Sequence, residues 1–152
     1  PYPRPGHADG LAFSAGHGKP HSLRRVFDVL EADRPGWRRP AAWKLDAWAA
    51  QGVLLLNPVL SVEVGVAGAH MSCGWQTLTS QIAQALCGMS EPPAFLLWGR
   101  PANAFFDAAC GPAPAGVTVL RTRHPSHDFQ RQFMAEGSHF LATADRVDWW
   151  AL

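Results

Sequence analysis

The chain has 152 residues, of which 47% are hydrophobic and 16% are charged, and its formal net charge at pH 7 is +1. This composition excludes an intrinsically disordered chain, and the length suffices for one domain with its own hydrophobic core. Because the net charge is close to zero, the total charge indicates no particular partner.

The three cysteines, Cys73, Cys87 and Cys110, form no CxxC pair and lack the spacing of metal ligands. We therefore expect no metal site. A sparse, odd number of cysteines is typical of a reducing compartment. The sequence shows neither a signal peptide nor an apolar run of membrane-spanning length. The expected location is the cytoplasm, in a bacterium, with no membrane partner.

The first half of the chain alternates between loops, helices and one apolar run. Residues 1–20 are rich in Gly, Pro and His and predict an ordered functional loop. Apolar spacing predicts helices over 22–33, where Ser22 could be the N-cap, and over 41–50. The all-apolar run at 53–56, closed by Asn57, predicts a buried parallel strand.

The second half repeats this alternation after a loop over 58–74. The predicted elements are a helix at 75–86, a strand at 95–98, a helix at 101–109, a strand at 117–121 and a helix at 138–147. Strands alternating with helices predict an α/β fold, in which helices cover a parallel sheet. We find no internal repeat and expect a single domain.

Polar side chains follow each predicted strand. Asn57 closes the first, Arg100 follows the second, and His124 and Ser126 follow the third. Ligands of open parallel sheets bind beyond the carboxyl ends of the strands. An amide and an imidazole at this edge could hold one planar ligand. The alternative is structural, with Asn57 holding a turn and His124 capping a strand end.

Several blocks in register resemble family-1 uracil-DNA glycosylases. They are Pro-Tyr at 1–2, GLAFS at 10–14, GVLLLNPVLSV at 52–62, Gly-Trp at 74–75, FLLWG at 95–99, His-Pro-Ser at 124–126, Ser-His-Phe at 138–140 and Asp-Trp at 148–149. The resemblance spans nearly the whole chain. It implies an enzyme of base-excision repair that flips uracil out of DNA and hydrolyses its N-glycosidic bond, leaving an abasic site.

The resemblance also implies features that precede Pro1. The family's general-base aspartate would stand directly before Pro1, and a parallel strand would lead into it. The implied architecture is a three-layer αβα fold with a central four-stranded parallel sheet, three strands of which lie within residues 1–152. The expectation is thus one glycosylase domain without its N-terminal part.

Four residues match the family's uracil pocket. Tyr2 would exclude thymine by collision with its methyl group, and Phe13 would stack on the base. Asn57 would hydrogen-bond the N3 and O4 edge, where cytosine presents the reverse pattern. His124 would be the catalytic residue, donating a hydrogen bond to uracil O2 as the bond to the sugar breaks.

The resemblance also implies contacts with DNA, some to the phosphate backbone and one in the gap left by the flipped base. Ser22, Ser126 and His70 correspond to positions that could contact the phosphate backbone. After Ser126 the family's wedge leucine is replaced, since the gapless alignment places Asp128 there, and an aspartate is a poor wedge beside phosphates. Phe129 or Arg131 could fill the gap left by the flipped base.

The resemblance implies no metal or organic cofactor, and it implies a monomer that acts on uracil in single- or double-stranded DNA. Two alternatives remain open. One is a catalytically silent protein that binds uracil-containing DNA, suggested by the aspartate missing from residues 1–152 and by the altered wedge. The other is a glycosylase of broader specificity, against which Tyr2 and Asn57 argue.

Overall fold

Helix α1 (His21–Asp33) forms where apolar residues recur at helical spacing. In the computed structural model, which describes residues 1–128 and 130–152, this face is fully buried and consists of Leu23, Val26, Phe27 and Leu30. The predicted helix at 22–33 is confirmed. The N-cap is Pro20 rather than Ser22, which lies inside the first turn, so the capping role considered for Ser22 is wrong.

Among residues 1–128 and 130–152, the sheet consists of two parallel strands joined by a helix. Strand β1 (Phe95–Trp98) and strand β2 (Val119–Thr122) pair in parallel along their whole length, and α4 (Arg100–Cys110) connects them. Parallel neighbours require such a crossover, because a tight turn can join only antiparallel strands. The α/β class with a parallel sheet is confirmed.

The structure differs from the prediction at residues 53–57, which form no strand of this sheet. This segment is held to residue 12 by one hydrogen bond, from the Ala12 N–H to the Leu55 carbonyl at 2.9 Å. The side chain of Leu54 is 59% exposed. An apolar run becomes a strand only when a neighbouring strand satisfies its backbone groups. Among the described residues the sheet therefore has two strands rather than three.

Two predicted helices are shorter than expected. Helix α2 spans only Asp46–Ala50, because the preceding chain turns to bury Trp43 and Leu45, and the Leu45 N–H donates to Ser14 Oγ at 3.0 Å instead of to a helical carbonyl. Helix α5 spans only His139–Ala142, and turns follow it. Both segments bend because large aromatic side chains must reach the core.

The core is a cluster of aromatic rings between α1, β1 and the last turns of the chain. Trp48 contacts Trp149 edge-on with ring centroids 5.0 Å apart, and Trp98 contacts Phe133 in the same way at 5.2 Å. Edge-to-face pairs add specific attraction to the burial of apolar area. Trp98 ends β1, so this packing fixes the edge of the sheet that faces the site.

Helix α3 (Trp75–Cys87) packs on α4, and both end in a cysteine. The thiols of Cys87 and Cys110 lie 3.3 Å apart, sulfur to sulfur, as free cysteines. Burial, together with the neighbouring Cys110, raises the pKa of the Cys87 thiol to about 11. Within the described part of the chain, no helix has the length and apolar character to cross a membrane.

Candidate active site

One cleft brings the predicted pocket residues together. Its volume is about 730 Å³. Pro1, Leu54 and Leu55 are among the residues that line it, as are the predicted site residues Tyr2, Phe13, Ser22, Asn57 and His124. These side chains come from the N-terminal loop, the start of α1, the end of the 53–57 segment and the end of β2, so the fold gathers them from distant parts of the sequence.

Tyr2 is anchored by its hydroxyl group. The hydroxyl donates to the carbonyl of Phe13 at 3.1 Å and lies 3.1 Å from Ser22 Oγ. Because its single proton is used on Phe13, Ser22 is the donor in the second bond. Burial raises the pKa of Tyr2, the Ser22 hydrogen bond opposes this, and the charge of Asp9 adds to it. The ring is therefore held at the cleft in its neutral form.

Phe13 has an unusual backbone conformation. Its φ is +66°, in the left-handed region that non-glycine residues seldom adopt. The ring lies 5.1 Å from the ring of Trp98 and 5.6 Å from that of His124, centroid to centroid. Such a conformation persists only where its surroundings enforce it. The hydrogen bond from the Tyr2 hydroxyl to the Phe13 carbonyl helps to hold this backbone conformation. The Phe13 ring then lies beside the imidazole of His124.

Asn57 stands at the end of an apolar segment that lines the cleft. The turn after it is fixed by Thr79, whose hydroxyl donates to the carbonyl of Pro58 at 2.9 Å. Thr79 is fully buried on α3. The amide is therefore carried on a backbone that is anchored on both sides, by α3 here and by Ala12 at Leu55.

The tautomer of His124 is set by Ser126. The Ser126 backbone N–H donates to His124 Nδ1 at 3.1 Å, and Ser126 Oγ lies 2.7 Å from the same nitrogen. A nitrogen that accepts a backbone N–H carries no proton, so the proton of the neutral ring is assigned to Nε2. The ring can therefore act as a hydrogen-bond donor through Nε2 without being charged.

Gly99 allows the close approach of β1 to His124. Its φ is +104°, and a Cβ placed there would lie 2.8 Å from the Cβ of His124. Only glycine satisfies both conditions. Helix α4 begins at the next residue, and Pro101 in its first turn suits a helix start.

The candidate DNA contacts fall in different places. Ser22 is 6% exposed and bonded to Tyr2, so it belongs to the pocket wall rather than to the outer surface. Ser126 lies beside His124 in a short 3-10 helix at Pro125–His127. His70 does not line the cleft; its Nδ1 lies 2.9 Å from Ser61 Oγ.

Arg131 is not among the residues that line the cleft. Arg131 is exposed, with a φ of +52°, and lines a separate cavity of about 300 Å³ between α1 and residues 131–138. Phe129 lies outside the described residues. Across the described ranges, no group of three His, Cys, Asp or Glu residues could hold a metal ion.

One structural feature was missed at the sequence level. The side chain of Asp128, at the position of the wedge, is 1% exposed and accepts a hydrogen bond from Arg25 Nε and another, at 2.9 Å, from the Phe133 N–H. Burial works to raise the pKa of the Asp128 carboxyl, but the bond from Arg25 and the backbone bonds lower it. No local pattern indicates this pair, because its members are 103 positions apart.

The chain is similar to known uracil-DNA glycosylases in sequence and in fold. The model of the uracil DNA glycosylase superfamily matches residues 1–147. Uracil-DNA glycosylases of Salmonella agona and Salmonella newport are each 44% identical over 148 residues, which cover 94% of this chain and 62% of the relative. The crystal structure of mimivirus uracil-DNA glycosylase has the same fold, with a TM-score of 0.71 at 22% identity, over 80% of this chain and 43% of that one. The chain thus spans less than two thirds of these relatives.

Proposed function

The chain belongs to the uracil DNA glycosylase superfamily, and on that premise we propose that it forms the base pocket of a uracil-DNA glycosylase. The enzyme flips uracil out of DNA, hydrolyses the N-glycosidic bond and leaves an abasic site for base-excision repair. The observation that carries this proposal is that Tyr2, Phe13, Asn57 and His124 line a single cleft. Separate cavities would have left no pocket for a base.

The pocket walls suit uracil. A base lying against the Phe13 ring gains about 1–3 kcal/mol from stacking. The Asn57 amide supplies a donor and an acceptor for the N3 and O4 edge, so that cytosine would leave buried groups unpaired. The Tyr2 ring, held at its hydroxyl by Phe13 and Ser22, stands where a thymine methyl group would collide.

His124 supplies the catalytic hydrogen bond in this proposal. As the bond to the sugar breaks, negative charge collects on the departing uracil, and Nε2–H donates to O2. Because Ser126 holds Nδ1 as an acceptor, the proton is already in place and the ring need not be charged. A preorganised donor of this kind contributes about 2.7–4 kcal/mol to the transition state.

The contacts with DNA extend beyond the pocket. Ser126 and His70 would contact phosphates, Ser22 would contribute from the pocket wall, and Phe129 or Arg131 would replace the unpaired base in the duplex. We propose that the protein acts as a monomer in the cytoplasm of a bacterium, on single- or double-stranded DNA, with no cofactor. The carboxylate that activates water is proposed to precede Pro1, which lines the cleft.

A base-release assay tests the function. Matched oligonucleotides that carry one uracil, thymine, cytosine or hypoxanthine are incubated with the protein extended to include the residue before Pro1, and free base and abasic sites are measured. Release of uracil alone is expected. Binding of uracil-containing DNA without release would favour the catalytically silent alternative. Release of thymine or hypoxanthine with uracil ignored would favour the broader glycosylase.

A further inference from the structure

An ion pair joins α1 to the segment that carries His124. Arg25 Nε donates to Asp128 Oδ2 at 2.5 Å, and the two side chains are 15% and 1% exposed. The other carboxylate oxygen of Asp128 accepts the Phe133 N–H at 2.9 Å. Buried charges are costly unless they are paired and hydrogen-bonded, and here both conditions are met.

Each partner lies about one helical turn from a pocket residue. Arg25 follows Ser22 on α1, and Ser22 is bonded to Tyr2. Asp128 follows His124 and the short 3-10 helix, which packs against α1. The pair therefore connects the segment that bears Ser22, the partner of Tyr2, to the segment that bears the imidazole.

We propose that Arg25 and Asp128 are a positioning pair. The pair holds the turn that contains His124 and Ser126 in place, so that Ser126 keeps its hydrogen bond to Nδ1 of His124. This role deepens the proposed function and rests on it for its consequence in catalysis. The pair occupies the charged groups of both residues. Asp128 does not reach out as a wedge, and Arg25, unlike the exposed Arg24, is not available to phosphates.

The direct test is the imidazole nitrogen spectrum of His124, which does not require activity. In the native protein one tautomer is expected, with Nδ1 as acceptor and Nε2 protonated. In Asp128→Asn and in Arg25→Gln, averaging of the two tautomers is expected. Because the two residues act through one ion pair, the double variant should show no more tautomer averaging than either single variant.

The matched control is Arg34→Gln. Arg34 directly follows the same helix and pairs with Asp148, and neither residue lines the cleft. Its loss should leave the His124 spectrum unchanged. If a single variant fails to fold, Arg25→Lys is measured in its place, because it keeps the charge but loses the guanidinium geometry. Tautomer averaging is expected in this variant as well.

Activity gives an independent readout. In the extended protein, kcat for uracil release should fall roughly tenfold to a hundredfold in Asp128→Asn, since small misplacements cost that much, while KM changes little. A native spectrum and native kcat in the foldable variants, or additive effects in the double variant, would overturn the proposal. A changed spectrum in a protein that never releases uracil would refute the proposed function and leave the positioning role standing.

Discussion

His124 is the residue on which catalysis should depend most. Replacing it by alanine removes the Nε2 donor but leaves Phe13 and Asn57 in the cleft. We expect uracil release to fall by a factor on the order of 10² to 10³, the cost of losing one such donor, with binding of uracil-containing DNA largely retained. Single-turnover release and a binding titration measure the two effects. His17→Ala, at an exposed residue outside the cleft, is the control, and an equal loss in both variants would contradict the role.

Tyr2 should act through the shape of its ring. Tyr2→Ala removes the group that meets the C5 position of the base, so slow release of thymine is expected from a protein that otherwise refuses it. Tyr2→Phe keeps the ring but loses the bonds to Phe13 and Ser22. It should still refuse thymine. If Tyr2→Ala releases no thymine, another residue excludes the methyl group.

At this scale the sequence was informative about the pocket but not about its support. Asn57 and His124 were expected to converge because each follows a predicted strand. Both line one cleft, although residues 53–57 form no strand of the sheet. The left-handed backbone of Phe13 and the Arg25–Asp128 pair could not, because both result from contacts made across the folded chain.

Among the elements, α5 gives the clearest test of local structure. Ser138 is its N-cap and accepts hydrogen bonds from the N–H groups of Phe140 and Leu141, while its hydroxyl donates to Asp33 on α1. Ser138→Ala should cost about 1 kcal/mol, or roughly 2–4 °C in melting temperature. Thermal unfolding measures this, with Ser90→Ala, at an exposed turn, as the control. An equal shift in both variants would contradict the cap.

Element prediction succeeded where local pattern and packing agree. Helix α1 has its apolar stripe on one face, and β1 and β2 have neighbours that satisfy their backbone groups. Residues 53–57 have the composition of a strand, but in the described chain their backbone bonds to Ala12 and Trp48 and within the segment form no ladder with a neighbouring strand. Strand formation depends on a partner, and composition alone does not supply one.

For the molecule as a whole, buried His139 should make stability depend on pH. Its Nδ1 lies 3.3 Å from Trp98 Nε1, so a Trp98–His139 contact ties α5 to β1. Burial lowers the pKa of His139 below its ordinary value of 6.5, opposed by a backbone hydrogen bond at Arg121. The unfolded chain therefore binds the proton more readily, and the free energy of unfolding should decrease as the pH falls below about 6.5.

Chemical denaturation between pH 8 and pH 5 measures this dependence. Replacing His139 by glutamine should flatten the decrease in that window, even if it lowers stability overall. Asp128 acts in a different range, because its lowered pKa means that its contribution is lost as the pH falls from the ordinary carboxyl pKa of 3.8 towards the lower pKa of the folded state. An unchanged slope in His139→Gln would assign the dependence to other groups.

The neighbouring thiols at the ends of α3 and α4 allow the native packing of the two helices to be measured without DNA. Sulfur atoms 3.3 Å apart lie within reach of a short bifunctional alkylating reagent while the two helices stay docked, so linkage should be faster in the folded protein than in the unfolded chain. Linkage between Cys87 and Cys110, read by mass spectrometry of the digested protein, would therefore report how much of each variant is natively packed before its enzymology is interpreted.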